Sequence, residues 1–387
     1  MATHKWIPLT ILFIFFFLFG SYPHVHSEAE STLDTDTVQL RLMETTDLHA
    51  RILPFSYKTT QPSNTYGLAL TASLIRQARS EAKNSMLFDD GDALKGSLLG
   101  EYVIAKGLKQ GEVHPVYRAM NTLGYDAASI GNHEFNLGLS LLNKSLQGAS
   151  FPFVNANVYY DDHDDNPDND RHYFTPYLIL PRTFVDENGH ERTIKIGVIG
   201  FVVPQAIQWN KKYEDLEGVL KVKDIYETAK KYVPIMKENG ADIIIALSHS
   251  GLGTPKIQYM EQNASYDLTK IDGIDAILFG HVHKVFPSRE FAGLPNVNLK
   301  KGTVNGVPAV EAGRWGNFLG IIDLSLKKTE LGWEVADSHS TVRPVYNPFT
   351  KKATVAPDPQ VLDAIHEAHE ETLNFLLTPE GALLKAR

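Results

Sequence analysis

The 387-residue chain contains no cysteine. It therefore has no disulfide framework and no cysteine to which a lipid could attach after a signal segment, so nothing in it needs correct oxidation after export. Basic residues are also scarce, because 37 Lys and Arg stand against 46 Asp and Glu, giving a formal net charge of −9. No Lys/Arg cluster is long enough to follow a polynucleotide backbone. The composition therefore favours an enzyme that acts on small anionic substrates and predicts no polynucleotide partner.

No second long apolar run follows the first one, at residues 7–20. That run comes after His4 and Lys5 and leads to Val25-His26-Ser27, where small residues occupy the key positions for cleavage. It falls short of the roughly 20 apolar residues that span a bilayer. It therefore predicts a cleaved secretory signal over residues 1–27 rather than a membrane anchor. We expect a periplasmic protein with no stable membrane span after cleavage, with secretion from a Gram-positive cell as the open alternative.

Five short apolar runs bounded by Gly, Asp or Ser predict buried β-strands. They are residues 38–43, 86–88, 127–130, 243–247 and 274–279. Helix-like stretches such as residues 68–80 and 222–238 lie between them, so the chain is predicted to be an α/β protein with largely parallel strands. An Asn-Gly pair at residues 188–189 predicts a hairpin. The strand-rich residues 307–326 are expected to close the sheet.

A polar cluster follows each of these five runs. The clusters are Asp47-Leu48-His49, Gly91-Asp92, Gly131-Asn132-His133-Glu134, Ser248-His249 and Gly280-His281-Val282-His283. Open α/β sheets bind ligands at loops that leave the carboxyl ends of their strands. Carboxylate, amide and imidazole groups suit divalent Mn, Zn, Co or Fe without distinguishing among them. Paired ions roughly 3.5–4 Å apart can turn a bridging water into hydroxide that attacks phosphorus. The clusters therefore predict a two-metal phosphoesterase site.

The order D-x-H, G-D, G-N-H-E, strand-end H and G-H-x-H resembles the calcineurin-like metallophosphatases of the 5′-nucleotidase type over residues 39–326. Within them it resembles the periplasmic 2′,3′-cyclic-nucleotide 2′-phosphodiesterase/3′-nucleotidase branch, through TTDLHA, VHPVYRAMNTLGYD, IGNHEFNLGL and FPFVNANV. The resemblance implies a four-layer α/β/β/α sandwich with mixed sheets and two divalent metal ions. It also implies hydrolysis of 2′,3′-cyclic nucleotides to 3′-nucleotides, and of 3′-nucleotides to nucleoside and phosphate.

The resemblance also implies roles for individual residues. One metal would be held by Asp47, His49, Asp92 and His283, and a second by Asp92, Asn132, His249 and His281, with Asp92 as the bridge. His133 matches the catalytic histidine that steadies the phosphoryl group and helps the leaving oxygen depart. Asn136 stands where 5′-nucleotidases have an Asp that orients this histidine. A neutral amide would fix the ring without adding charge, although Asn136 could instead be a simple turn residue. No substrate-binding residue is assigned.

Several other polar residues are given lesser roles. Neighbouring side chains along a strand alternate faces, so Asp89 and Asp90 are expected to support the ligands from behind or to face solvent. His114 is expected to lie in a loop before a helix, with substrate contact a minor alternative. Residues 161–170 are rich in Asp but lack the Gly and terminal Glu of a calcium loop, which predicts an exposed acidic loop.

The catalytic domain is predicted to span residues 36–345, and residues 346–387 are predicted to form a connector and a linker helix. The helix is indicated by the spacing of Val361, Leu362, Ile365, Ala368, Thr372, Leu373 and Leu376. In the resembling family such a helix leads to a C-terminal nucleotide-binding domain, which we expect to be absent here or separately encoded. The alternatives are a 5′-nucleotidase or nucleotide-sugar hydrolase, and a truncated chain that is inactive without that domain.

Overall fold

Two β-sheets form the centre of the unit Asp36–Arg387. The computed structural model describes residues 1–2, 36–164, 166, 169–213 and 215–386. The predicted signal, residues 1–27, lies outside the described residues except for Met1 and Ala2. The smaller sheet has five strands, in the order Gly332–Pro344, Phe318–Thr329, Thr37–Thr45, Ser85–Asp89 and Ala127–Ala128.

The larger sheet has eight strands. Seven follow one another in the order Val297–Asn298, Thr303–Val304, Val307–Ala312, Ala276–Phe279, Ile243–His249, Glu191–Val202 and Tyr177–Val185. The remaining strand, Val285–Phe286, pairs with Val307–Ala312. Three further two-stranded pairs are Phe55–Ser56 with Gln61–Pro62, Val158–Tyr160 with Leu220–Val222, and Tyr346–Asn347 with Lys352–Ala353.

Both sheets are mixed, as the family resemblance implied. In the larger sheet the four central strands, from Val307–Ala312 to Glu191–Val202, are parallel, and the strands beside them are antiparallel. In the smaller sheet the strands Thr37–Thr45, Ser85–Asp89 and Ala127–Ala128 are parallel up to one edge, and the other two strands are antiparallel. The prediction of largely parallel strands therefore holds for the middle of the larger sheet and for one side of the smaller sheet. Residues 307–326 do not close one sheet, because Val307–Ala312 lies in the larger sheet and Phe318–Thr329 in the smaller. The hairpin at residues 188–189 is confirmed.

Side-chain alternation produces the layers. In the strand Ile243–His249, Ile243, Ile245 and Leu247 pack into the core between the two sheets. Ile244 and Ala246 face the opposite way, into the core beneath the helix Ile225–Glu238. Strands covered on both faces read as continuous apolar runs. The result is the four-layer α/β/β/α sandwich expected for this fold.

Nine α-helices occur among the described residues: Leu68–Ser80, Leu98–Lys106, Pro115–Asn121, Gly138–Gln147, Ile225–Glu238, Ser265–Leu268, Pro359–Ala364, His366–Phe375 and Pro379–Ala386. Apolar side chains of the first four pack on the outer face of the smaller sheet. Within the described residues, we find no helix with the length and apolar character needed to cross a membrane.

The predicted linker helix is two helices that meet at Ile365. Val361 and Ile365 are buried in the core of the smaller sheet. Asp358 caps the first helix by accepting hydrogen bonds from the Gln360 and Val361 N–H groups. The segment therefore packs against the catalytic unit along its length.

Candidate metal centre

The seven predicted metal ligands follow the carboxyl ends of the parallel strands, and the structure brings six of them into overlapping groups. The groups are Asp47, His49 and His283; His49, Asp92 and His133; and Asp92, His249 and His281, with ligand atoms in each group within 4.8 Å of one another. The seventh, Asn132, is buried beside them, and its Oδ1 has no hydrogen-bond partner. One compact centre thus contains every predicted ligand.

The first group has two imidazole nitrogens facing each other. His49 Nε2 lies 2.9 Å from His283 Nε2, and Asp47 Oδ1 lies 3.2 Å from His283 Nε2 and 3.6 Å from His49 Nε2. His49 Nδ1 is 2.7 Å from the Lys95 carbonyl oxygen, which can only accept, so Nδ1 carries the proton. In the neutral form of His49, the Nε2 lone pair therefore points into the group.

The second group has the same design. His249 Nδ1 lies 2.9 Å from the Asp90 carbonyl oxygen, so it donates there. His249 Nε2 then faces Asp92 Oδ2 at 3.1 Å without the alignment of a hydrogen bond. His281 Nε2 contacts Gln262 Nε2 at 2.7 Å, and the Trp209 ring stacks beside His281 with 5.9 Å between ring centroids.

Asp92 lies between the two groups. Its Oδ2 is 3.1 Å from His249 Nε2 and 4.0 Å from His49 Nε2, while its Oδ1 accepts the His133 backbone N–H at 2.7 Å. Among the described residues, Asp92 is therefore the carboxylate that belongs to two of the three groups.

The charges of the carboxylates and imidazoles at the centre compensate one another. Burial alone would raise the pKa of Asp92 and of Asp47, but the neighbouring imidazoles outweigh burial and hold both pKa values below their usual range. Burial would lower the pKa of His249, but Asp92 outweighs it and the pKa is raised. Burial lowers the pKa of His281 to about 4. The carboxylates are therefore ionised and ready to bind cations.

The backbone at these positions is strained. Asp47, His49, Asp92 and His283 have φ values of 51°, 48°, 56° and 60°. Non-glycine residues rarely adopt this left-handed region, and such strain concentrates at functional sites. Gly280 permits the close approach that follows, because a Cβ there would lie 2.2 Å from Thr46 Oγ1 and 2.7 Å from Asp47 Oδ2.

A chain of side-chain hydrogen bonds holds His133. His133 Nδ1 lies 2.6 Å from Asn136 Oδ1, Asn136 Nδ2 donates to Asn210 Oδ1, and Asn210 Nδ2 donates to the Ala206 carbonyl at 2.8 Å. Asn136 thus contacts the ring of His133, which favours the predicted positioning role over that of a simple turn residue. Asn210 was missed, because it is distant in sequence and no local motif marks it.

Glu134 was quoted in a motif but given no role. Its buried carboxylate accepts four backbone N–H groups, those of Asp92, Ala93, Leu94 and Gly131, at 2.8–3.1 Å. It therefore joins the loop that carries Asp92 to the loop that carries Asn132. Its position in Gly-Asn-His-Glu was the only sequence signal.

The other polar residues considered from the sequence are buried or form ion pairs. Asp89 and Asp90 are both buried, so the expectation that they might face solvent is wrong. Asp89 accepts the Thr45 hydroxyl at 2.6 Å, and burial raises the pKa of Asp89 to about 8. His114 is fully buried as the N-cap of Pro115–Asn121, so it is not placed to touch substrate. In the acidic loop, Asp162 and Asp170 pair with Lys221.

Fold and site together define a phosphoesterase architecture. The calcineurin-like phosphoesterase family matches residues 40–285, which is more than half of the chain, and the chain belongs to this family. Family members use divalent metals, and the three Asp/His groups are where this chain could hold them.

Individual relatives narrow the comparison. The chain is 45% identical over 351 residues to the 2′,3′-cyclic-nucleotide 2′-phosphodiesterase/3′-nucleotidase of Salmonella typhimurium, a match covering 91% of this chain and 53% of that protein. The crystal structure of the calcineurin-like phosphoesterase YfkN from Bacillus subtilis superposes with a TM-score of 0.82 at 40% identity, covering 88% of this chain and all of that one. A snake venom 5′-nucleotidase from Naja atra is 28% identical over 87% of this chain and 58% of its own length. The chain spans about half the length of the curated relatives it matches.

Proposed function

We propose that the chain hydrolyses 2′,3′-cyclic nucleotides to 3′-nucleotides, and 3′-nucleotides to nucleoside and phosphate, with two divalent metal ions. The observation that carries the proposal is the set of buried carboxylate, amide and imidazole ligand atoms that converge on one centre. They are His49 Nε2 facing His283 Nε2, together with the unpartnered Asp47 Oδ1, Asn132 Oδ1 and His249 Nε2. Buried polar atoms are rarely left unpaired, and two bound cations would provide partners for them.

The donor set fits two ions. Asp47, His49, Asp92 and His283 would hold one, and Asp92, Asn132, His249 and His281 the other, with Asp92 between them. His49 and His249 each give their Nδ1 proton to a backbone carbonyl, which is how ligating histidines are oriented and their free nitrogen made more basic. When bound, such a pair of ions supplies an activated water and neutralises charge on the phosphoryl oxygens.

The protein supplies orientation and a proton. Asn136 accepts the Nδ1 proton of His133, so His133 presents Nε2 to the phosphoryl group. In its protonated form His133 can pass the Nε2 proton to the departing ribose oxygen as the P–O2′ bond, and later the P–O3′ bond, breaks. The oxygen of water becomes the new phosphate oxygen. His133 thus acts as the general acid, and Asn136 is its positioning residue.

The substrate class rests on the activity for which the relatives are named, together with the site. The Salmonella relative is named for 2′,3′-cyclic nucleotides, and the neutral Asn136 differs from the Asp expected of a 5′-nucleotidase. Export to the periplasm remains part of the proposal, supported by the signal pattern of residues 1–27. We also propose that the part of the relatives that this chain does not span contributes to nucleoside binding.

The test is a time course with 2′,3′-cyclic AMP and added Mn²⁺, beside bis(p-nitrophenyl) phosphate and 5′-AMP. We expect 3′-AMP to appear first and adenosine to follow. Faster release of phosphate from 5′-AMP would instead favour a 5′-nucleotidase. Cleavage of only the activated diester would show a working metal centre whose nucleoside recognition requires more protein, and cleavage of none would refute the proposal.

A further inference from the structure

A pocket of about 410 Å³ lies beside the metal centre, and its wall is rich in cations. The charged residues that line it are Arg51, Lys58, Lys95, Lys385 and Glu101. Four positive charges against one carboxylate are unusual in a chain whose formal net charge is −9. Glu101 offsets only part of this charge, since Lys95 Nζ lies 3.8 Å from Glu101 Oε1. The pocket is therefore locally basic.

The pocket and the metal centre share a wall. The Lys95 carbonyl that accepts from His49 belongs to that wall. The next residue, Gly96, also lines the pocket, and a Cβ there would lie 2.8 Å from His49 Cβ. Arg51 follows His49 by two residues, so their Cα atoms are no more than about 7 Å apart. A ligand held at the metals and a group held in the pocket would be close neighbours.

Arg51 is held in place without using its hydrogen-bond donors. Its Cζ lies 5.3 Å from the Tyr66 ring centroid and 4.7 Å from that of Trp315. Within the described part of the chain, no side chain or carbonyl accepts a proton from the Arg51 guanidinium, and Arg51 Nε is buried without a partner. A guanidinium offers five donors in a fork that matches phosphate, so the aromatic rings orient an unused anion receptor.

Trp315 connects this receptor to the metal centre. Its φ of 61° is strained for a bulky residue. Its backbone N–H donates to the Asp47 backbone carbonyl at 2.7 Å. On the same ring lies Arg314, with its Cζ 4.2 Å from the centroid, and Arg314 Nη1 contacts His283 Nδ1 at 3.2 Å. The guanidinium groups of Arg314 and Arg51 thus both contact the Trp315 ring, and Arg314 reaches His283.

A helix end adds to the attraction. Helix Leu98–Lys106 begins at the pocket, and its N-cap Ser97 and first residue Leu98 both line it. Helix N-termini carry partial positive charge and favour phosphate groups. The helix contributes in addition to the four side chains.

We propose that this pocket binds a second phosphate of the nucleotide substrate, such as the 5′-phosphate of a nucleoside 3′,5′-bisphosphate, while the 3′-phosphate occupies the metal centre. The proposal rests on the proposed function and deepens it, because it assigns a substrate class and residues that select for it. Charge-assisted contacts from Arg51, Lys58, Lys95 and Lys385 hold the dianion.

The experiment compares kcat/KM of the Mn²⁺-loaded protein for adenosine 3′,5′-bisphosphate and for adenosine 3′-phosphate. We expect the bisphosphate to be preferred about tenfold. Lys58→Gln and Lys385→Gln remove one charge each at accessible positions and should lower the preference by about three- to fivefold. Arg51→Gln should lower it further, and circular dichroism checks that this variant folds. The matched control Lys230→Gln, on the helix Ile225–Glu238, should leave the preference unchanged.

The outcomes separate the two proposals. If neither substrate releases phosphate, the proposed function fails. If the wild type hydrolyses both equally, or if the pocket variants leave the preference intact, only the pocket proposal is overturned. Inorganic phosphate tests whether the pocket binds free phosphate instead of the second phosphate of a substrate. Non-competitive inhibition by phosphate that Lys58→Gln relieves, with no preference for the bisphosphate, would assign the pocket to free phosphate and overturn its assignment to substrate.

Discussion

Replacing Asn136 by Asp tests how the fold controls His133. In the wild type, Asn136 Oδ1 lies 2.6 Å from His133 Nδ1 and its amide donates to Asn210 Oδ1. Asn136→Asp puts a negative charge next to the imidazole with almost no change in shape. An opposite charge at this distance favours the imidazolium form by about one to three pH units. The limb of the pH–rate profile that depends on protonated His133 should move to higher pH by a similar amount.

Asn136→Asp also disturbs the contact between residue 136 and Asn210. The second carboxylate oxygen would face Asn210 Oδ1, so that two acceptors meet. Turning the Asn210 amide over would relieve that contact, but the amide would then lose its hydrogen bond to the Ala206 carbonyl. Leaving one buried group unpaired costs about 1–3 kcal/mol of unfolding free energy. Asn136→Asp should therefore shift the profile and destabilise the protein together.

The assay is a pH–rate profile on 2′,3′-cyclic AMP with Mn²⁺, and urea unfolding measures stability. Asn136→Ala removes the acceptor without adding charge, so its rate should fall about 10- to 100-fold because the ring is no longer oriented, with no shift to higher pH. Asn374→Asp, an exposed position on the helix His366–Phe375, controls for the added charge. An Asn136→Asp profile that superimposes on the wild type, with Asn136→Ala fully active, would refute the coupling.

Two further predictions concern stability. Burial lowers the pKa of His114 to about 3, so this residue contributes stability above its unfolded pKa that is lost as pH falls, about 2 kcal/mol between pH 6.5 and pH 5. His114→Asn keeps a capping acceptor and should lessen the fall in unfolding free energy between pH 6.5 and pH 5, as measured by urea titrations. If the unfolding free energy of the wild type and the variant changes equally with pH, His114 takes up its proton in the folded state as well. Glu134→Gln leaves two of the four bound N–H groups facing an amide NH₂ and should lower the unfolding free energy by about 2–4 kcal/mol. A loss below about 1 kcal/mol would contradict the role of Glu134 in joining the loops that carry Asp92 and Asn132.

Much of the site could be predicted because its ligands follow strand ends in short local motifs. Gly91-Asp92 and Gly280-His281-Val282-His283 follow apolar runs, and parallel strands bring such ends to one edge. Asn210 and the Arg51 pocket could not be predicted in this way. Asn210 contacts a residue that is distant in sequence, and Lys58 and Lys385 line one pocket although they lie in distant segments. No local sequence pattern encodes these arrangements.

Two other differences between the sequence-based predictions and the structure have local physical causes. Asp90 follows the end of the strand Ser85–Asp89, where the alternation of faces no longer applies, and both Asp89 and Asp90 are buried. The periodic positions after residue 360 correctly indicated an apolar helical face, but periodicity does not identify the partner of that face. Val361 and Ile365 pack against the core of the smaller sheet, a contact that only the folded chain reveals.

The most direct test of the two-metal centre is the number of Mn²⁺ ions bound per chain in equilibrium dialysis at fixed free Mn²⁺, for the wild type and for Asp92→Ala. Asp92 is the carboxylate between the two groups, 3.1 Å from His249 Nε2 and 4.0 Å from His49 Nε2. We predict two ions per chain in the wild type and at most one in Asp92→Ala, with circular dichroism unchanged. A single ion in the wild type, or two ions in both proteins, would contradict the bridged centre.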